Sequence, residues 1–281
     1  MNRMDQYVKK GKEMLFIPFI TAGDPTEEAT IELAYMLQNA GAAAIELGVP
    51  YSDPLADGPV IRRASQRALK RGMNLRRSLE MGRRIRQRGV QVPLIIFTYC
   101  NPLLQLGTDR FFREAAENKI DGLLVPDLPF EESRGLAKLC RAHDVRLISL
   151  VAPTTSDGRL RAIGAAAQGF LYCVSSLGVT GVRQHFHPHI FSFLHRAGEA
   201  ANIPIAVGFG ISSSEQVEEL SPYADGFIVG SAIVDRVEHY ADRLSDEATR
   251  PEAVEAVRKE LEAHLLGHVC RSDAAPSGRT S

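Results

Sequence analysis

The chain is poor in cysteine. Its 281 residues carry four, Cys100, Cys140, Cys173 and Cys270, with no CxxC pair among them. That scatter argues against a paired-cysteine zinc or redox motif and for reduced thiols in a cytoplasmic protein. Neither charge sign is in excess: Lys plus Arg is 33 and Asp plus Glu is 34. A nucleic-acid binder or a polybasic membrane anchor is therefore not indicated. No apolar run approaches the roughly 18 residues of a membrane span. The opening stretch "MNRMDQYVKKGKEM" lacks the apolar core of a signal peptide. Also missing are a GxSxG elbow, a Walker loop and a GxGxxG fingerprint.

What is present is a rhythm. Short apolar runs fall at 15–21, 43–48, 93–99, 122–127, 146–151, 169–174, 204–210 and 226–231. Each is nearly continuous in apolar residues, as a parallel strand buried on both faces requires. Amphipathic stretches fill the gaps. "DPTEEATIELAYMLQNAG" predicts a helix with Asp24 as N-cap, Pro25 at its first position, Glu27 closing a capping box and Gly41 ending it. "SSSEQVEEL" repeats the device with Ser212 and Glu215. "LRRSLEMGRRIRQRG" reads as a helix with a solvated basic face, and "DRFFREAAENK" and "EESRGLAKLCRAHD" as two more.

Strands alternating with helices eight times match the closed (β/α)8 barrel, with an open doubly wound sheet as the rival. Extra helices are expected over 2–11, after the second strand over 62–71, and near the C-terminus at about 250–266. Residues 1–267 are then one barrel domain, and the small polar stretch 268–281 is expected to be a disordered tail.

In such a barrel the chemistry sits at the C-terminal ends of the strands. That rule gathers the polar residues at one rim. Glu46 lies inside the second apolar run and Asp57 in the loop "YSDPLADGP" after it. Tyr99 and Asn101 end the third run, Asp127 ends the fourth and Tyr172 lies in the sixth. A carboxyl in an apolar strand is either a paired structural group or a general acid/base tuned by its pocket. Asp57 and Asp53 are also good turn formers. Glycine clusters "SSLGVTG", "VGFG" and "IVGS" follow the sixth, seventh and eighth runs. They are either tight turns or a backbone cradle for phosphate, to which Ser231 adds a hydroxyl. "HFHPH" at 185–189 places three histidines at alternate positions, but Pro188 puts them in a loop, and no metal site is expected.

Together, "FIPFITAGDP", "IELGVPYSDPLADGPVI", "GLLVPDLPFEES", "LYCVSSLGVTG", "PIAVGFGIS" and "DGFIVGSAIV" resemble the α subunit of tryptophan synthase, in register from about residue 7 to about 265. The resemblance implies a (β/α)8 barrel that cleaves indole-3-glycerol phosphate to indole and glyceraldehyde 3-phosphate without a cofactor. It places Glu46 and Asp57 as catalytic carboxylates and Tyr172 beside the reacting side chain. Phe19, Phe97, Leu124 and Thr180 line the indole pocket. Gly181, Gly210, Gly230 and Ser231 bind the phosphate. Tyr99 and Asp127 fall at the rim, in substrate contact or loop placement. The chain contains no tryptophan, which suits an enzyme of that pathway.

The family docks on a β subunit that holds pyridoxal phosphate, expected as an α2β2 heterotetramer, and Pro50 and Asp53 lie in the loop at that junction. The loop over 175–188 is where a lid would close. Ser176 and Leu177 stand where better-known members carry an arginine and a small residue, Phe97 is bulkier than the usual aliphatic, and "RQHFHPH" is an unusual continuation. Two alternatives follow: a stand-alone lyase releasing free indole, or an idle allosteric partner of the β subunit. Another phosphosugar aldolase or isomerase would need a Schiff-base lysine, and the predicted strands hold no lysine.

Overall fold

The computed structural model describes residues 2–11, 14–174, 189–208 and 210–267. Eight parallel strands close into a barrel in sequence order: β1 (Leu15–Thr21), β2 (Ile45–Gly48), β3 (Leu94–Phe97), β4 (Gly122–Leu124), β5 (Arg146–Val151), β6 (Leu171–Val174), β7 (Ile205–Gly208) and β8 (Gly226–Val229). β1 closes the ring against β8, with Ile17 in register with Ile228. All eight expected strands form, and the closed barrel prevails over the open sheet.

The pleat divides the apolar residues between two cores. Phe16 and Ile20 of β1 face outward into the layer shared with the helices. Ile17 and Phe19 face inward with Ile95, Phe97, Leu124 and Ile228. Both faces are thus dry, which is why the strands read as unbroken apolar runs. The inner core is continued by Met4 and Val8, from the N-terminal segment that carries the short helix Met4–Tyr7.

That segment is clasped to the barrel floor. Asn2 donates to the carbonyl of Asp121 at 3.0 Å and also bonds that of Asp144. Asp121, the residue before β4, accepts from Arg3 at 3.1 Å and from buried Arg86 at 2.5 Å. Its Oδ2 also accepts from the N–H of Leu94 at 2.9 Å.

Several helix details differ from expectation. Thr26, not Asp24, caps the helix Glu27–Asn39, its side chain accepting from the N–H of Ala29. Asp24 is buried and its carboxylate is taken by Arg67. The helix Ser214–Leu220 is capped one residue later than predicted, by Ser213 with Gln216 completing the box. The predicted 2–11 helix shrinks to Met4–Tyr7, whereas Pro59–Lys70 and Arg250–Leu261 form close to where they were expected.

The basic face of Leu75–Gln87 is also more than solvation. Arg77 and Arg84 pair with Glu27, and Arg88 pairs with Glu32 at 2.7 Å. Such exposed pairs contribute about 0–1 kcal/mol each. Arg86 differs, being 9% exposed. Cys100, Cys140 and Cys173 are free thiols. Among the described residues no helix is long and apolar enough to cross a membrane.

Candidate active site

A cavity of about 200 Å³ opens at the C-terminal rim. Its floor comes from strand residues and its wall from the loop and helix after β2. Glu46 lies in register between Phe19 of β1 and Ile95 of β3. The even spacing that turns Phe19 and Phe97 inward turns Glu46 into the same apolar space. It is 1% exposed, and among the described residues its Oε1 has no hydrogen-bond partner. Burial alone pushes its carboxyl up to about 8. The paired structural carboxylate weighed from sequence would need a donor, and among the described residues none stands at Oε1; desolvation favours the neutral form of the carboxyl.

Asp57 lines the same cavity. Its loop leaves β2 and runs directly into the helix Pro59–Lys70, where Pro59 takes the first turn. The Tyr99 hydroxyl donates to Asp57 Oδ1 at 3.0 Å and accepts from the N–H of Ala56 at 3.1 Å. Burial raises the Asp57 pKa, while the Tyr99 hydrogen bond and the positive charge of Arg62 draw it back down. The two carboxyls therefore occupy different environments, one dry with an oxygen lacking a partner among the described residues, the other hydrogen-bonded and beside a cation.

Phe19 and Phe97 meet edge to face with centroids 5.5 Å apart and offer a flat apolar slot. Tyr172 lines the cavity too, and burial, followed by the charge of Glu46, drives its phenol pKa upward. Glycine is needed behind both aromatics. A Cβ on Gly48 would run into the Phe19 ring, and one on Gly208 into the Tyr172 ring.

Beside Phe19, Gly230 precedes the helix Ser231–His239, and both Gly230 and Ser231 line the cavity. The helix N-terminus brings backbone N–H groups and a positive dipole end to the cavity, features that favour an anion. Gly210, at φ +79, brings the segment after β7 to the same cavity.

Some predicted residues lie elsewhere. Leu124 pairs with Phe97 in register within the inner core and is not among the residues lining the cavity. Tyr99 acts on Asp57 rather than lining the cavity. Asp127 accepts from the N–H of Cys100 at 2.9 Å and so fixes the chain after β3. Pro50 is buried and Asp53 exposed in the loop after β2, both lining a separate groove with Asn101. Thr180, Gly181, Ser176, Leu177, His185, His187 and the 175–188 loop lie outside the described residues, as does 268–281. Among the described residues no cluster could hold a metal ion. Sequence reasoning missed Ser212, which it spent on a helix cap and which lines the cavity next to Gly210. It also missed Arg62, whose only signal was its place one turn into a helix that begins beside Asp57.

Fold and site together define a (β/α)8 barrel that sets a buried carboxyl of raised pKa, a second carboxyl and a helix N-terminus around one apolar cavity. The family model of the tryptophan synthase alpha chain matches residues 5–264. The tryptophan synthase alpha chain of Bacillus subtilis (strain 168) is 56% identical over 243 residues, covering 86% of this chain and 91% of that one. That of Shouchella clausii is 55% identical over 263 residues, covering 94% and 95%. Among solved structures, the Legionella pneumophila alpha chain superposes with a TM-score of 0.79 at 33% identity, covering 93% of this chain and 98% of that one. A chain of the Pyrococcus furiosus tryptophan synthase α2β2 complex, whose subunits activate each other, superposes with a TM-score of 0.79 at 36% identity, covering 92% and 99%. The chain belongs to the tryptophan synthase alpha chain family.

Proposed function

We propose that this chain cleaves indole-3-glycerol phosphate to indole and glyceraldehyde 3-phosphate as the α subunit of a tryptophan synthase. The observation that carries the reading is Glu46: a buried acid, its Oε1 without a partner among the described residues, in one cavity with Asp57 and the helix N-terminus at Gly230–Ser231 that would seat the phosphate. The indole ring fits the Phe19–Phe97 slot, and the phosphate takes the helix N-terminus.

Indole is a poor leaving group as a carbanion, so its C3 must be protonated first. Glu46, neutral below about pH 8, gives its proton to C3. The positive charge that develops spreads to the ring nitrogen. Ionised Asp57 accepts a hydrogen bond from that N–H and stabilises the cation. The Glu46 carboxylate then takes the proton of the side-chain hydroxyl next to the ring. The C–C bond breaks, its electrons return to the indole ring, and the hydroxyl carbon becomes the aldehyde. One proton has moved from oxygen to C3, and Glu46 ends as it began. The phosphate seat holds the reacting bond in place and contributes orientation.

This division of labour predicts a bell-shaped rate profile. The alkaline limb reports loss of the Glu46 proton near about pH 8. The acid limb reports protonation of Asp57, whose pKa lies above its ordinary value. Tyr99→Phe should lower kcat about tenfold, since one hydrogen bond to a charged group is worth about 1.5 kcal/mol or more. Because the Tyr99 bond pulls the Asp57 pKa down, its loss should move the acid limb to higher pH. A pH–rate profile of the variant checks both, and an unmoved acid limb would detach Tyr99 from Asp57.

The partner reading draws on the rim surface. Leu55 and Leu104 are 80% and 70% exposed, two residues past Asp53 and three past Asn101 of the rim groove, apolar surface suited to a docked β subunit. Any pyridoxal phosphate would belong to that partner, and a biosynthetic role of this kind fits the cytoplasm. Indole release from indole-3-glycerol phosphate, measured with and without a β subunit, tests the function. Cleavage should rise at least about tenfold with the partner, a coupling of ordinary size. Equal rates would assign a stand-alone lyase, and no indole in either case would end the proposal.

A further inference from the structure

The rim holds a charge cluster that takes no part in the chemistry above. Arg67, on the helix Pro59–Lys70, is a two-way fork. Its Nε and Nη2 donate to the two oxygens of Asp24 at 2.7 and 2.9 Å. Its Nη1 donates to Glu238 at 2.5 Å. Arg63, one turn earlier, closes a bidentate pair on the same Glu238 at 2.9 and 2.6 Å. The Asp24 side chain is 1% exposed, while those of Arg67 and Glu238 are each 27% exposed.

Each segment joined there ends in the cavity. Asp24 lies just beyond β1, which carries Phe19. The Arg67 helix begins immediately after Asp57 and Gly58. Glu238 lies in the last turn of the helix whose first residue is Ser231. The slot, the anionic carboxylate and the phosphate seat therefore hang from three separate pieces of chain. They also pack through Ile61, Ala64, Val234 and Phe19 in the inner core, but apolar packing is non-directional and sets no angle between them. A guanidinium that is bidentate to one acid and shared with a second fixes both distance and angle, which a lysine cannot do.

We propose that Arg67 is a positioning residue for the reaction: through Asp24 and Glu238 it sets the Asp57 carboxylate in register with the phosphate seat at Gly230–Ser231. The inference rests on the proposed cleavage of indole-3-glycerol phosphate. It says nothing of substrate contact by Arg67, which acts only through the elements it joins.

The test compares the full-length chain with Arg67→Lys, Arg67→Ala and Glu238→Gln, with Arg3→Ala on the barrel floor as a stability control. Arg67→Lys keeps the charge over buried Asp24 but loses the fork. Its kcat should fall by about tenfold or more while KM stays within about threefold, because misplacing groups costs the chemical step more than ground-state binding. Glu238→Gln should lose kcat in the same pattern but less, since Arg67 retains Asp24. Adding Glu238→Gln to Arg67→Ala should cost little beyond Arg67→Ala alone, as members of one unit do not add. Amide exchange over Ile233–Val237 should quicken in both Arg67 variants and not in Arg3→Ala.

A wild-type kcat in Arg67→Lys overturns the proposal. So does an equal kcat loss in Arg3→Ala measured below both melting temperatures, since that would be general softening. If the unsubstituted chain cleaves no indole-3-glycerol phosphate, the reaction falls and the clamp is judged by amide exchange alone: unchanged exchange in Arg67→Lys then overturns it as well.

Discussion

Glu46→Gln should abolish indole release and, at neutral pH, make the protein more stable. The loss of rate follows from the removal of the carboxyl proton that Glu46 offers to C3 in the dry part of the cavity; the Tyr172 phenol there is far too weak an acid to replace it. General acid–base catalysis contributes about 10²- to 10⁴-fold, and here the same group serves both transfers, so the upper end is expected. The gain in stability has a separate origin. The folded carboxyl titrates near about 8, against 4.5 for the ordinary group. Between those values the folded state binds a proton that the unfolded state has released, so stability falls as pH rises through that window. At about pH 7 this costs about 3 kcal/mol. Glutamine occupies the same volume, stays neutral in both states and escapes the loss, less whatever its amide N–H groups forfeit in an apolar pocket. Urea unfolding should therefore show a gain of about 2–3 kcal/mol near pH 7 that vanishes by about pH 4. A variant that retains a tenth of the rate would move the acid elsewhere. A gain independent of pH would mean that burial does not hold Glu46 protonated.

That opposition between function and stability was partly readable in the sequence. Glu46 stood out because a carboxyl interrupted an apolar run, and the strand alternation that aims Phe19 inward aims Glu46 there too. The eight strands were legible because both sheet faces are dry. Their ends were not, since Ala43 and Ala44 are buried or nearly so without joining a strand. Helix caps failed where two oxygens compete within three residues. Asp24 and Thr26 both suit the role, and the choice is made by Arg67, 43 positions away. The helix Cys100–Leu106 leaves little mark in the sequence, being short and carrying Pro102 in its first turn, where proline is tolerated. Tyr99 was placed at the rim, but its hold on Asp57 spans 42 positions and leaves no local mark. Arg86 could not be told from its neighbours, because only its distant acid separates a buried arginine from solvated ones.

That acid carries the second large effect. Asp121→Ala should cost about 3–5 kcal/mol, the usual penalty for breaking a buried ion pair from one side. Asp121 Oδ2 meets Arg86 at 2.5 Å and the N–H of Leu94 at 2.9 Å, and Oδ1 meets Arg3. Arg86 retains the carbonyls of Val90 and Val92 at 3.0 and 2.6 Å, but these dipoles leave its charge uncompensated. Burial already lowers its pKa to about 10, against the opposing pull of Asp121, and even so it stays charged at neutral pH. The damage should be local to the barrel floor. At temperatures well below unfolding, kcat and KM for indole-3-glycerol phosphate should stay within about twofold of the unsubstituted chain, because floor residues serve stability and rim residues serve chemistry. Adding Arg86→Met removes the orphaned cation and should restore part of the loss, since a buried pair is often replaceable by apolar groups at little cost. Urea unfolding of the two variants decides the matter. If Arg86→Met restores nothing, the cost of Asp121→Ala lies in the lost Leu94 N–H and Arg3 contacts, and the N-terminal segment, not the buried cation, is what Asp121 secures.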